Sequence, residues 1–304
     1  MDPTTAPFVP TTTDKKNQNS DLRVTPMQPT VLRMDAPDPY PHLPHDLFGM
    51  AVFDFEFLRT VSKKAENETW SSGFSILSNL LAIQFQILRR QPGGLPKLRT
   101  GEILMNTSLL QRYKFPACPL YIAFTPSQCT ESGQDAKPFT VSTMSANDQR
   151  IEPGYEPPLA NWYPPDLSVI VWDRHLPISV DYSHILDDNA SRFPEKFRGD
   201  SFQTLKGRFI LSIEHSIEKC RRRPYIPVPM LFMPSGKISN ATIQLLLPLY
   251  FGEEDQSQLA VVIERLEFGY RVATILPIAT AYSNARALGK LDGTWLQYGN
   301  QQNK

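Results

Sequence analysis

The chain is predicted to adopt an α+β fold, with a mixed or antiparallel sheet built from hairpins and packed with amphipathic helices. Three observations predict it. Strand-type runs come in adjacent groups, at 166–182 and 243–276. Long helical patterns lie before and between those groups, at 73–90 and from Ser201 to Pro224, instead of alternating with single strands. A doubly wound sheet would require that alternation, so segregated hairpins and helices are favoured over it.

Residues 1–45 carry nine prolines among many Thr, Asp, Asn and Gln. They offer too little contiguous apolar surface to offset the entropy of ordering, so they are expected to be a disordered Pro-rich tail. A single α+β domain is expected over 46–304. At its start LFGMAVFDFEFLRTVSKKAENETW places apolar residues at 53, 57, 58 and 61 before a charged stretch, which reads as a helix packed on one face. The pattern after it predicts a helix over 73–90. Ser71 or Ser72 can cap it, Phe74, Leu77, Leu81, Phe85 and Leu88 form its stripe, and Arg89, Arg90, Pro92 and Gly93 end it.

GEILMNTSLL and CPLYIAFTP read as short strands around a loop, and residues 127–163 as a polar surface excursion. DLSVIVW and LPISVDY flank Asp173-Arg174-His175 and are expected to form a hairpin. A helix from Ser201, its cap, to Pro224 follows from the recurrence of Phe202, Leu205, Phe209, Ile213 and Ile217. The run IQLLLPLYF predicts a strand buried on both faces, with a bulge or an edge at Pro248, which cannot donate to a ladder. LAVVIERLEFGYRVATIL reads as two strands joined near Glu267-Phe268-Gly269, and PIATAYSNARAL as a helix opened by Pro277.

Composition narrows the function classes. With 41% hydrophobic residues in 304, the chain can bury a substantial core. Lys plus Arg and Asp plus Glu balance at 31 each, so any anionic partner must be held by a local patch. Cys118, Cys129 and Cys220 are an odd set without a CxxC pair, which fits a reducing compartment and neither a disulfide framework nor a zinc knuckle. The start has no apolar core of signal-peptide length, and no run of some eighteen apolar residues occurs. An intracellular protein, cytoplasmic or nuclear and without a membrane partner, is expected.

Two constellations carry chemistry. In VDYSHILDDNASRFP, His184, Asp187 and Asp188 are side chains suited to a divalent cation or to acid and base work. The same residues also suit a capped turn, with the carboxylates accepting from backbone amides. Arg286 is expected either to steady a phosphate or to pair with a carboxylate such as Glu264 or Asp188. The second constellation is basic: residues 202–237 contain seven basic and two acidic side chains. Lys219, Arg221, Arg222 and Arg223, with Tyr225 beside them and Arg192 and Arg198 upstream, would bind phosphates and stack bases of single-stranded RNA. Cations at a helix C-terminus also have a purely structural use against the macrodipole. Cys220 lies among arginines that would lower its pKa, but no base accompanies it. The residues fix no metal site and no cofactor.

Several segments together resemble a known family. These are VDYSHILDDNASRFP, QLLLPLYF, LAVVIERLEFGYRVATIL and AYSNARAL followed by Trp295-Leu296, with ENETW at 66–70 and MNTSLL at 105–110. They are similar to the uncharacterised family called domain of unknown function 3825, of bacteria and fungi, over roughly 48–297. Where that family has an NTGL-like element, this chain has Asn106-Thr107-Ser108-Leu109. The resemblance implies one module. Through relatives that occur beside cold-shock or LOTUS domains, it also implies work with RNA, but no catalytic residue. An RNA-associated or regulatory binding module is therefore expected. The alternatives are a metal-dependent phosphodiesterase or nuclease and a small-molecule enzyme of fungal metabolism.

Overall fold

A computed structural model describes residues 39–114, 116–127, 137–160, 166–236, 238–251 and 256–297. Most of the predicted tail and Cys129 lie outside them. The described chain joins the core ahead of the predicted boundary at 46. Leu43 is buried, and the Tyr40 and Leu43 carbonyls each accept from Arg89 Nη2 at 3.1 Å.

Two short helices come first, α1 (Leu47–Met50) and α2 (Phe55–Lys64), capped by the Asp46 and Asp54 carboxylates. Next is α3 (Ser75–Arg90), where Ser71 Oγ accepts from the Ser75 N–H at 2.9 Å. The predicted stripe of α3 is buried except for the half-buried Phe74, and Ile76, Leu80, Ile83 and Ile87 are buried as well. The helix is thus apolar nearly all round, the signature of one enclosed by the core.

The strands β1 (Ile103–Leu110), β2 (Pro119–Pro126) and β3 (Phe139–Ser145) form an antiparallel sheet in that order. Within the polar surface excursion expected over 127–163, β3 is a strand not predicted from the sequence. Its polar, alternating sequence gains a partner only because β2 lies beside it, while Phe139 and Val141 pack on the core.

The second sheet is mixed, with the order β4-β8-β7-β6-β5. Its strands are β4 (Ile178–Ser179), β5 (Val228–Phe232), β6 (Thr242–Leu249), β7 (Leu259–Leu266) and β8 (Gly269–Pro277). The predicted hairpin over 166–182 does not form. Asp166 caps a 3-10 turn at Leu167–Ile170 by accepting from the Ser168 N–H, and only Ile178 and Ser179 join the sheet, parallel to β8. Local side-chain capping wins there over strand propensity. Gly269 lets β8 approach that edge closely, since an added Cβ would lie 2.8 Å from the Pro177 carbonyl.

β6 is buried on both faces, as its unbroken apolar run predicts, and β7 beside it is as well. Leu246, Ala260 and Val262 face one core; Leu245, Leu247, Leu249, Val261 and Ile263 face the other. Each such side chain contributes roughly 1.5–3 kcal/mol relative to exposure. Pro248 is accommodated as an edge: β5 pairs with β6 only as far as Leu246, and no register shift occurs between β6 and β7. The Pro248 carbonyl instead accepts from Ser216 on the helix α5 (Phe202–Arg222).

α5 and the short α4 (Tyr182–Asp187) pack on one face of this sheet. α3 and α6 (Ile278–Arg286) pack on the other, where Asn79 donates to the Ser283 hydroxyl at 3.0 Å. No helix among the described residues is long and apolar enough to cross a membrane.

Candidate functional site

Past α2 the chain runs antiparallel to the end of β1, with the Glu66 N–H donating to the Leu110 carbonyl at 2.9 Å. In an extended segment alternate residues share a face. Glu66, Glu68 and Trp70 accordingly point inward, while Asn67 and Thr69 are exposed.

β1 supplies the opposite wall through a bulge between Asn106 and Leu109. There Ser108 takes φ +57°, the left-handed conformation that a glycine adopts without penalty. Serine thus holds here a turn that glycine would make without strain. Side chains stabilise it in place of the ladder. Asn106 Oδ1 accepts from the Ser108 N–H at 3.0 Å, and Thr107 Oγ1 accepts from the Leu109 N–H at 3.2 Å. Ser108 Oγ donates to Gln84 Oε1 on α3 at 3.1 Å. Asn106 Nδ2 donates to the Pro157 carbonyl at 2.9 Å.

The base comes from α6. Arg286 Nε and Nη2 donate to the two Glu68 oxygens at 2.6 and 3.0 Å, and the Tyr282 hydroxyl donates to Glu68 Oε1 at 2.8 Å. The Arg286 and Glu68 side chains are only 8% and 6% exposed. The guanidinium lies 5.5 Å over the Trp70 ring. Burial, reinforced by the hydrogen bond to Glu68, raises the Tyr282 pKa, so the phenol stays a donor at physiological pH. At the rim Lys290 Nζ donates to Glu66 at 2.9 Å, a bond that raises the lysine pKa against the opposing effect of burial.

Glu66, Glu68, Trp70, Ser108, Arg286 and Lys290 are among the residues that line a cleft of about 250 Å3. Two of its polar atoms lack partners among the described residues. Trp70 Nε1 is buried without an acceptor, and Arg286 Nη1 makes no hydrogen bond.

Arg286 therefore pairs with Glu68 and not with Glu264 or Asp188. Glu264 is taken by Arg271 at 2.5 Å and Asp188 by His184 Nδ1 at 2.6 Å. The signal for this pairing in the sequence is the alternation of Glu66, Glu68 and Trp70 in ENETW.

His184, Asp187 and Asp188 stay together at α4, with Asp181 as the helix cap. They lie across the five-stranded sheet from Arg286, since Ile185 and Leu186 enter one core and Ala285 the other. His184 and Asp188 are largely exposed, and among the described residues no group of three His, Cys, Asp or Glu side chains is placed to hold a metal ion.

The basic residues divide. Arg192 Nη1 donates to Thr274 Oγ1 at 2.8 Å and to the Ile275 carbonyl at 2.7 Å, and Arg198 Nε donates to the Phe193 carbonyl at 2.9 Å. Both tie the loop after α4 into the fold. Lys219 sits 3.9 Å over the Tyr250 ring, and Arg221 and Arg222 pair with Glu218. Arg223 and Tyr225 are exposed. Cys220 is buried among apolar groups, which push its thiol up to about 12, opposite to the lowering expected from its arginine neighbours.

A family model described as a domain of unknown function, DUF3825, matches residues 61–295, a span that contains every wall of the cleft. No curated protein and no solved structure matches the chain.

Two stability predictions follow from this geometry. Glu68→Ala leaves a buried guanidinium uncompensated and is expected to cost about 3–5 kcal/mol in urea unfolding, whereas Glu68→Leu combined with Arg286→Met costs less than either single change. Additive losses would show that the pair is not coupled. At Ser108, alanine keeps the left-handed strain and loses the bond to Gln84, while glycine relieves the strain. Ser108→Gly is expected to be more stable than Ser108→Ala by about 1 kcal/mol, measured the same way.

Proposed function

The chain belongs to the family of the domain of unknown function DUF3825, and from that premise we propose that it is a binding module whose ligand seats in the cleft framed by Glu68, Trp70, Ser108 and Arg286. The observation that carries this proposal is Trp70 Nε1. The Trp70 side chain lines the cleft and is only 3% exposed, and its N–H is buried behind that wall with no acceptor among the described residues. A buried donor left unpaired costs about 1–3 kcal/mol, a cost that a ligand supplying an acceptor would recover.

Two further features support the same site. Ser108 holds left-handed strain on the opposite wall, and strain of this kind concentrates at functional sites. The segments 66–70, 105–110 and 281–288, which carry the family resemblance, are far apart in the chain and meet only here.

Thermal shift with a panel of nucleosides, sugars, amino acids and inorganic anions tests the proposal. At least one class should raise Tm with concentration, by the equivalent of about 2.7 kcal/mol at a hundredfold excess over Kd, and Arg286→Lys should cut the rise to about half at the same concentration. No stabilisation by any class, or equal stabilisation of the variant, would refute the site.

A second proposal concerns single-stranded RNA and rests on the exposed end of α5, where Tyr225 is 76% exposed beside Arg221, Arg222 and Arg223. Their pairs with Glu218 are exposed and weak enough to exchange for phosphates. Three arginines imply a slope of about −2 in log affinity against log salt for a single strand. Oligouridylate binding should show that slope in fluorescence anisotropy and weaken about tenfold in Arg223→Glu. Salt-independent or absent binding would remove this role.

A further inference from the structure

The charge pattern of the cleft restricts its ligand beyond the proposal above, on which this inference rests. Glu68 is neutralised by Arg286 and Glu66 by Lys290, so the walls carry two negative and two positive side chains. Asp292 adds a carboxylate 3.4 Å from Lys290 at the rim. An anion such as phosphate would find no net positive potential here. It would also have to displace a carboxylate from a bidentate, nearly sealed pair, which charge-assisted geometry makes costly. A cation would meet the converse obstacle, because each carboxylate already has its counter-ion.

What the cleft leaves unmet is a set of hydrogen-bonding positions. On the donor side is Arg286 Nη1, which makes no hydrogen bond among the described residues. On the acceptor side, Glu68 Oε2 receives only Arg286 Nη2, and Glu66 receives only Lys290, so both keep lone pairs. The volume of about 250 Å3 lies below the range typical for drug-sized ligands.

We infer that the cleft takes a compact, uncharged group with an amide or lactam edge, its carbonyl oxygen facing Arg286, which the Trp70 ring backs, and its N–H facing the carboxylates. Such an edge occurs in a free carboxamide or nucleobase and equally in an unpaired base of a single strand. The chemistry is shared, and the source is an experimental question.

The test uses the full chain labelled with nitrogen-15 at tryptophan, with the Trp70 indole resonance assigned by its loss in Trp70→Phe. Uracil and nicotinamide serve as uncharged probes, acetate and inorganic phosphate as anions, and oligouridylate as the strand-borne base. The expected result is a saturable downfield shift of the Trp70 resonance with uracil or nicotinamide and none with the anions. Arg286→Lys should weaken it about tenfold. Arg59→Gln, an exposed change on α2 outside the cleft, should alter the affinity of the uncharged probes by less than about twofold. A shift with oligouridylate at much lower concentration than uracil identifies a strand as the source; equal or weaker response identifies the free molecule. Binding of anions alone overturns the ligand class while leaving the cleft as a site. Absence of any response overturns both.

Discussion

Enclosure of α3 is the constraint on which the remaining structure depends. A helix with Leu77, Leu81, Phe85 and Leu88 on one side and Ile83 and Ile87 on another cannot satisfy itself against a single sheet. It needs apolar surface around most of its circumference. β1 and β2 supply one part of that surface, β5 and its neighbours another, and the first helices cover what remains. Arg89, buried at the end of this helix, donates to the carbonyls of Tyr40 and Leu43, which offsets part of the cost of burying its charge. The segment ahead of α1 is therefore part of the fold and not an appendage.

That enclosure also generates the cleft. α6 docks on the same sheet face as α3 through small residues, Ala281 and Ala285, and so lies near the end of β1 and the stretch after α2. A buried ion pair such as Glu68 with Arg286 is a poor source of stability, because desolvation of both charges consumes most of what their attraction returns. Its value lies in position. The bidentate contact, the Tyr282 hydroxyl and the Trp70 ring hold the guanidinium in one orientation and leave Nη1 for something else. Side chains pre-organised in this way bind with little further loss of freedom.

Backbone exceptions in the fold are resolved by different means. At Pro248 the missing N–H falls where β5 has already ended, and Ser216 takes up the carbonyl. At Ser108 no neighbour relieves the left-handed backbone; the side chains of Asn106 and Thr107 hold it there by local hydrogen bonds. The first arrangement removes a defect. The second maintains strain at the wall of a cleft, which is the pattern seen where geometry serves binding.

Local pattern determined a good deal from sequence alone. The periodicities behind α3 and α5, the Ser201 cap and the uninterrupted apolar runs of β6 and β7 are short-range properties, and each sets an element without reference to the others. The resemblance carried by 66–70, 105–110 and 281–288 was legible too, as a set of separate strings. Tertiary structure alone decided that those strings meet, that Arg286 finds Glu68 across more than two hundred residues, and that His184 and Asp188 remain a surface pair. It also decided that Cys220 faces apolar groups despite its charged neighbours in sequence. The physical reason is common to all of these. Ion pairing, burial and desolvation depend on which surfaces pack together, and a side chain's partners across a core leave no trace in the spacing of its neighbours along the chain.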